Sequence, residues 1–138
     1  MKNTIVNKTK AMKAEGRKGK EEVRKVFTVD ATDRTIGRVA SEAASILLGK
    51  KSVTYTKNEV LPIEVKIVNA GKLRISEKRM SEKKYRWFTG QVDGLREISL
   101  PNLIAKKGIE FVLEQTVDGM IPRNSLRKER MKRLTVTK

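Results

Sequence analysis

From Val26 to Lys51 the chain reads VFTVDATDRTIGRVASEAASILLGKK, and this run decides the fold. Val26–Val29 is short and apolar with β-branched residues, the pattern of a buried strand. Asp30-Ala-Thr-Asp33 then turns the chain. Ile36, Val39, Ala40, Ala43, Ala44 and Leu47 recur at helical spacing and give one continuous apolar stripe. Thr35 or Asp33 stands where a cap would hold the first turn. Gly49 marks the end, and Lys50 and Lys51 suit the negative end of the helix dipole.

Downstream, Ile63–Ala70 (IEVKIVNA) is a second strand, and Leu73–Ser76 is a short third one. A polar, basic connection runs from Glu77 to Lys84. Ser99 is placed to cap a helix from about Leu100 to Lys106, with Pro101 tolerated in its first turn. Gly108 breaks that helix. Ile109, Val112, Leu113, Thr116, Val117 and Met120 form the next stripe, with Phe111 on the opposite, polar face. Gly119-Met-Ile-Pro122 stops it, Arg123–Arg133 follows as a basic helix, and Thr135–Thr137 is a last strand. Strands and helices in this order predict an α/β sandwich with a mostly parallel sheet.

The chain has 138 residues, the size of one domain. Its 32 Lys and Arg against 16 Asp and Glu give a net charge of +16. So large a charge repels itself in a compact state and points to a polyanionic partner. The excess sits at the two ends: residues 1–25 hold nine basic and three acidic residues, and residues 122–138 hold seven and one. Residues 1–25 lack an apolar stripe and read as a basic arm, leaving 26–138 as the globular domain. There is no Cys and no His, which removes disulfides, thiol nucleophiles, the commonest general base and the commonest metal ligands. No metal or cofactor is expected. No apolar run approaches the length of a membrane span, and the N-terminus does not read as a secretory leader.

The stretch Lys83–Arg96 (KKYRWFTGQVDGLR) carries the functional signal. Tyr85, Trp87 and Phe88 are three of the chain's six aromatic residues, interleaved with Lys83, Lys84, Arg86 and Arg96. Cations meet phosphates while rings stack on bases or pack on sugars. Gly90 and Gly94 let the backbone turn or approach closely. After Pro122, the cations Arg123, Arg127, Lys128, Arg130, Lys132 and Arg133 point in most directions around a helical wheel. Arg123, Arg127 and Arg130 share one face with no acidic neighbour in their own segment, which suits phosphate.

Three stretches together resemble a known family. They are VDATDRTIGRVASEAASILLGKK (29–51), VKIVNAGKLRISEKRMSEKKYRWFTG (65–90) and DGMIPRNSLRKERMKRL (118–134). In this order and spacing the chain resembles bacterial-type ribosomal protein thirteen of the large subunit, from about Val26 to Val136. The resemblance implies a three-layer α/β/α fold with a four-stranded parallel sheet. It implies binding to large-subunit rRNA early in subunit assembly, beside other ribosomal proteins, without catalysis, membrane or small-molecule substrate, in the cytoplasm or an organelle. Carried over by position, the RNA-binding residues are Lys50, Lys51, Lys78, Arg79, Lys83, Lys84 and Arg86, with the Thr89-Gly90 turn and Gly94-Leu95-Arg96. The chain departs from the family at Phe88, where a His is usual, at Asp93, where a Gly is usual, and at Arg127, which replaces another Gly. The arm is longer than usual, and the family's short His-rich tail is missing after Lys138.

Two other functions compete with this one. A nucleotide-acting α/β enzyme would use the Thr32–Arg38 turn, but neither G-x-G-x-x-G nor G-x-x-x-x-G-K-[ST] occurs, and Asp30 and Asp33 have no His or Cys partner. Asp30 reads as a turn or capping residue. A free-standing basic RNA- or DNA-binding regulator would need a base-reading element, and no familiar signature is visible.

Overall fold

A computed structural model describes residues 25–53 and 55–138; the basic arm read over residues 1–25 lies outside them except for Lys25, which opens the first strand. The chain runs through strand β1 (Lys25–Asp30), helix α1 (Ile36–Leu47), strand β2 (Ile63–Val68) and a short 3-10 turn (Ala70–Lys72). Helix α2 (Glu77–Glu82), strands β3 (Lys84–Phe88) and β4 (Leu95–Ser99), and helix α3 (Leu100–Met120) follow. Helix α4 (Arg127–Met131) and strand β5 (Leu134–Val136) close it.

β1, β2 and β5 form a parallel sheet in the order β1-β2-β5. Side chains alternate across a strand, so the register sorts the two faces. Phe27 and Val29, Val65 and Ile67, and Leu134 and Val136 share the face that meets the core. Every residue of the predicted α1 stripe is buried there, together with Ile46. On the other face Thr28, Lys66 and Thr135 stand side by side and stay exposed. The expected third layer is not seen over that row among the described residues.

The expected fourth strand is also absent from this sheet among the described residues. Leu73–Ser76 makes one parallel bridge, Thr35 to Arg74, reinforced by Arg74 N–H donating to the Arg34 carbonyl at 3.0 Å. Leu73 and Ile75 pack on the edge of the core, but Ser76 already caps α2 by accepting from Arg79 N–H at 3.4 Å. The start of that helix ends the strand after one rung.

α3 contains the break expected at Gly108, whose φ of 81° and ψ of 166° interrupt the helix. A left-handed φ of this kind favours glycine. Val112, Leu113 and Val117 are buried, as their spacing predicts, while Met120 is exposed. Phe111 packs against the core edge instead of facing a second surface, and Lys107 Nζ lies 4.2 Å from its ring centre. A cation over a ring explains how an aromatic sits at this boundary. The predicted caps Thr35 and Ser99 occupy the N-cap positions with extended backbones but make no side-chain cap bond. Leu100 N–H instead donates to the Lys83 carbonyl at 2.9 Å, which ties α3 to the start of β3.

Asp30, at the carboxyl end of β1, takes a structural role. Its Oδ1 accepts from Thr32 N–H at 3.1 Å, Thr32 Oγ1 at 2.8 Å and Asn69 Nδ2 at 3.1 Å. The last bond joins the ends of β1 and β2, and Asn69 holds a left-handed φ of 59° to make it. The Asn69 bond, with those from Thr32, holds the Asp30 carboxyl below its ordinary value. Such a depressed group adds stability above its unfolded pKa and loses it as pH falls through the folded value. Asp30→Ala should therefore cost about 1 kcal/mol at neutral pH, a modest figure because the carboxylate is solvated. Asp30→Asn keeps an acceptor oxygen, so it should cost less and flatten the acid limb of stability. Urea unfolding of the three proteins across pH 2–7 checks both expectations.

Candidate nucleic-acid interface

β3 and β4 form a two-stranded antiparallel hairpin, separate from the main sheet. The opposed pairs are Lys84 with Ser99, Tyr85 with Ile98, Arg86 with Glu97, Trp87 with Arg96 and Phe88 with Leu95. Alternation places Tyr85, Trp87, Arg96 and Ile98 on one face, and Lys84, Arg86, Phe88, Leu95 and Glu97 on the other. Tyr85 and Ile98 pack against the core and anchor the hairpin. Burial raises the Tyr85 phenol, with Arg79 and the Thr116 hydroxyl opposing the shift. Lys83 Nζ lies 5.3 Å from the centre of the Tyr85 ring.

Beyond that anchor the hairpin stands in solvent. Trp87 is 49% exposed, Phe88 65% and Leu95 60%. Apolar side chains exposed together on one hairpin mark a candidate contact surface. The two faces differ in ion pairing. Glu97 pairs with Arg86 at 2.5 Å and Lys84 at 3.5 Å, so both cations of the Phe88–Leu95 face are engaged by one carboxylate. Trp87 lies beside Arg96, for which no ion pair is found among the described residues.

The tip is a tight turn. Thr89 N–H donates to the Gly94 carbonyl at 3.1 Å, and Gly94 N–H to the Gln91 carbonyl at 3.0 Å. Gly90 and Asp93 hold left-handed φ values of 88° and 57°. Asp tolerates this region better than most residues, so the turn keeps its form with Asp93 where Gly is usual. Gly94 is buried, and a Cβ there would come within 2.7 Å of the Gln91 carbonyl oxygen. Gly94→Ala must therefore open the turn.

Lys50 follows α1 and is exposed, but Lys51 pairs with Glu42 at 3.3 Å. Glu42 also pairs with Arg34 at 2.8 Å. Burial pushes the Glu42 carboxyl up, but Arg34 and Lys51 outweigh it and hold the group below its ordinary value. Lys57, which spacing alone did not single out, is exposed in the same connection. Lys78 and Arg79 lie exposed on α2.

The segment after Pro122 differs most from its sequence reading. Arg123 is exposed. Arg127, however, pairs with Asp118 at the end of α3. Arg130 is 2% exposed and donates through Nη2 to the Glu59 and Lys57 carbonyls at 3.2 and 3.4 Å. Arg133 donates to the Leu61 carbonyl. Among the described residues, the three arginines expected to form one unpaired face are therefore one exposed cation without an ion pair, one ion-paired cation and one buried cation. Their partners come from distant parts of the chain, where a helical wheel does not look. Lys128 and Lys132 remain exposed.

No group of His, Cys, Asp and Glu suited to a metal ion occurs among the described residues, and none of their helices is long and apolar enough to cross a membrane. The family model for ribosomal protein L13 matches residues 24–138. The chain belongs to the ribosomal protein L13 family. Among L13 relatives, a large ribosomal subunit protein uL13 from Chlamydia pneumoniae is 38% identical over 121 residues, 88% of this chain and 80% of that protein. The uL13 of Clostridioides difficile is 43% identical over 113 residues, 82% of this chain and 78% of its own length. That of Chlamydia caviae is 38% identical over 112 residues, 81% and 74% of the two chains. L13 membership fits a strongly basic chain that displays an aromatic hairpin.

Proposed function

We propose that the protein is a structural constituent of the large ribosomal subunit that binds large-subunit rRNA and supports its assembly. It is not an enzyme: the family it belongs to is structural. The observation that carries the RNA-binding part is the hairpin, where Trp87 stands exposed beside Arg96. A ring next to a guanidinium offers a base or sugar a flat surface and its phosphate a charge. Lys50, Lys78, Arg79, Lys83, Arg123, Lys128 and Lys132 are exposed and add cations to the same task. Neighbouring ribosomal proteins complete its surroundings, and the Phe88–Leu95 face, whose cations Lys84 and Arg86 are engaged by Glu97, suits them better than phosphate.

Co-sedimentation tests the assignment. The protein should pellet with large subunits at moderate salt and leave them at high salt, because each neutralised phosphate releases condensed counterions. A protein that stays in the supernatant at every salt concentration would remove the ribosomal reading. Gly94→Ala supplies a finer check. It should weaken RNA binding while the unfolding midpoint of the main domain moves little, because the turn is remote from the main sheet. Equal affinity in the mutant would show that the turn does not position the contact.

A further inference from the structure

Arg130 is buried, yet no carboxylate pairs with it among the described residues, and its Nε has no partner there. A buried charge is costly unless something in the structure uses it. What it meets is main chain: the carbonyls of Lys57 and Glu59. Arg133 takes the next alternate carbonyl, Leu61. Residues 57–59 form a bend, and the two guanidinium groups hold the main chain of the 57–61 segment at three carbonyls.

This segment ends the connection from α1 to β2. Its carboxyl end is continuous with the sheet, since Lys25 N–H donates to the Pro62 carbonyl at 2.9 Å. The start of the connection is fixed against it as well. Gly49 turns with a φ of 81°, and a Leu61 methyl lies 2.5 Å from where a Cβ would stand. Lys50, near the start of this connection, and Lys57, at the start of the held segment, are both exposed.

We propose that Arg130, with Arg133 beside it, is a positioning residue that fixes the 57–61 segment so that Lys50 and Lys57 are presented to RNA phosphates. Arg130 itself touches no phosphate. The proposal rests on the RNA-binding reading above. A fixed segment costs less ordering on binding, so Arg130 acts on affinity through preorganisation. A phosphate contact acts differently, because losing it lowers the slope of log affinity against log salt by about one unit.

The test compares the full chain with Arg130→Met, which keeps bulk without donors, and Arg130→Lys, which keeps charge but not the fork. Backbone order parameters for residues 57–61 should fall from about 0.85 to below about 0.6 in Arg130→Met. Affinity for purified large-subunit rRNA should fall about three- to tenfold with the salt slope unchanged. Arg130→Lys should lose order and affinity in the same sense, and it decides the matter if Arg130→Met does not fold. A Lys50→Gln, Lys57→Gln double variant should instead lose up to about two units of slope. A slope lowered by about one unit in Arg130→Met would make Arg130 a phosphate ligand and overturn the proposal. Unchanged order and affinity in both Arg130 variants would overturn it too. If the parent chain fails to bind the RNA, the RNA-binding reading fails, and the order parameters still decide whether Arg130 holds the segment.

Discussion

Trp87→Ala will fold with an unfolding midpoint close to the parent's and will bind large-subunit rRNA more weakly by about 1–3 kcal/mol, the usual worth of a stacked base. Exposure decides the first half. A buried aromatic truncated to Ala costs about 3–5 kcal/mol through lost transfer energy and a cavity. Trp87 is half in solvent, at the outer part of a hairpin whose anchors are Tyr85 and Ile98. Phe88→Ala should be equally harmless to folding, since its ring is 65% exposed. Its effect on RNA binding should be smaller, because the cations on its face, Lys84 and Arg86, are both engaged by Glu97. Leu113→Ala is the contrast: fully buried in the core, it should cost about 2–5 kcal/mol and leave affinity per folded molecule unchanged. Thermal unfolding and binding isotherms for the three proteins check this. A Trp87→Ala protein with wild-type affinity would remove stacking from the account.

What could be read from the sequence was whatever local periodicity controls. The α1 stripe, β2 and the break at Gly108 lie within single elements and announce themselves by spacing. α2 gave no such sign, because none of its six residues is buried and a helix without an apolar stripe looks like a polar connection. The hairpin strands were missed for a similar reason. Trp87 and Phe88 are adjacent and both exposed, so β3 lacks the apolar–polar alternation that marks a half-buried strand. Its composition, aromatics interleaved with Lys and Arg, is what singles it out as a proposed RNA contact. Thr35 and Ser99 stand at the N-cap positions that the sequence marks, but their side chains make no cap bond, which composition alone does not show. Expecting four strands failed at Leu73–Ser76, where a second signal, the Ser76 cap, overrode the first.

The largest revision concerns the arginines after Pro122. Replacing Arg123, Arg127 and Arg130 together by Gln will destabilise the protein by about 2–4 kcal/mol and lower the salt slope of RNA binding by only about one unit. Read from the helical wheel, the three are equivalent phosphate-facing cations, and their removal should be harmless to the fold and cost about two units of slope. The structure separates them. Arg130→Gln removes the donors for the Lys57 and Glu59 carbonyls in a site with little water, a loss of about 1–3 kcal/mol. Arg127→Gln leaves Asp118 without its partner, and because that carboxylate is 39% exposed water recovers part of the loss, leaving about 1 kcal/mol. Arg123→Gln is exposed and should not move the unfolding midpoint. The slope follows the same division. Only a cation free to meet phosphate releases counterions on binding, and among the three that is Arg123. The single variants should therefore show Arg123→Gln with normal stability and a slope reduced by about one unit. Arg130→Gln should show the reverse, with lowered stability and an unchanged slope. Guanidinium unfolding and a salt series of association constants on the four proteins separate these outcomes. A fully stable triple variant that loses two units or more of slope would mean that all three arginines face RNA.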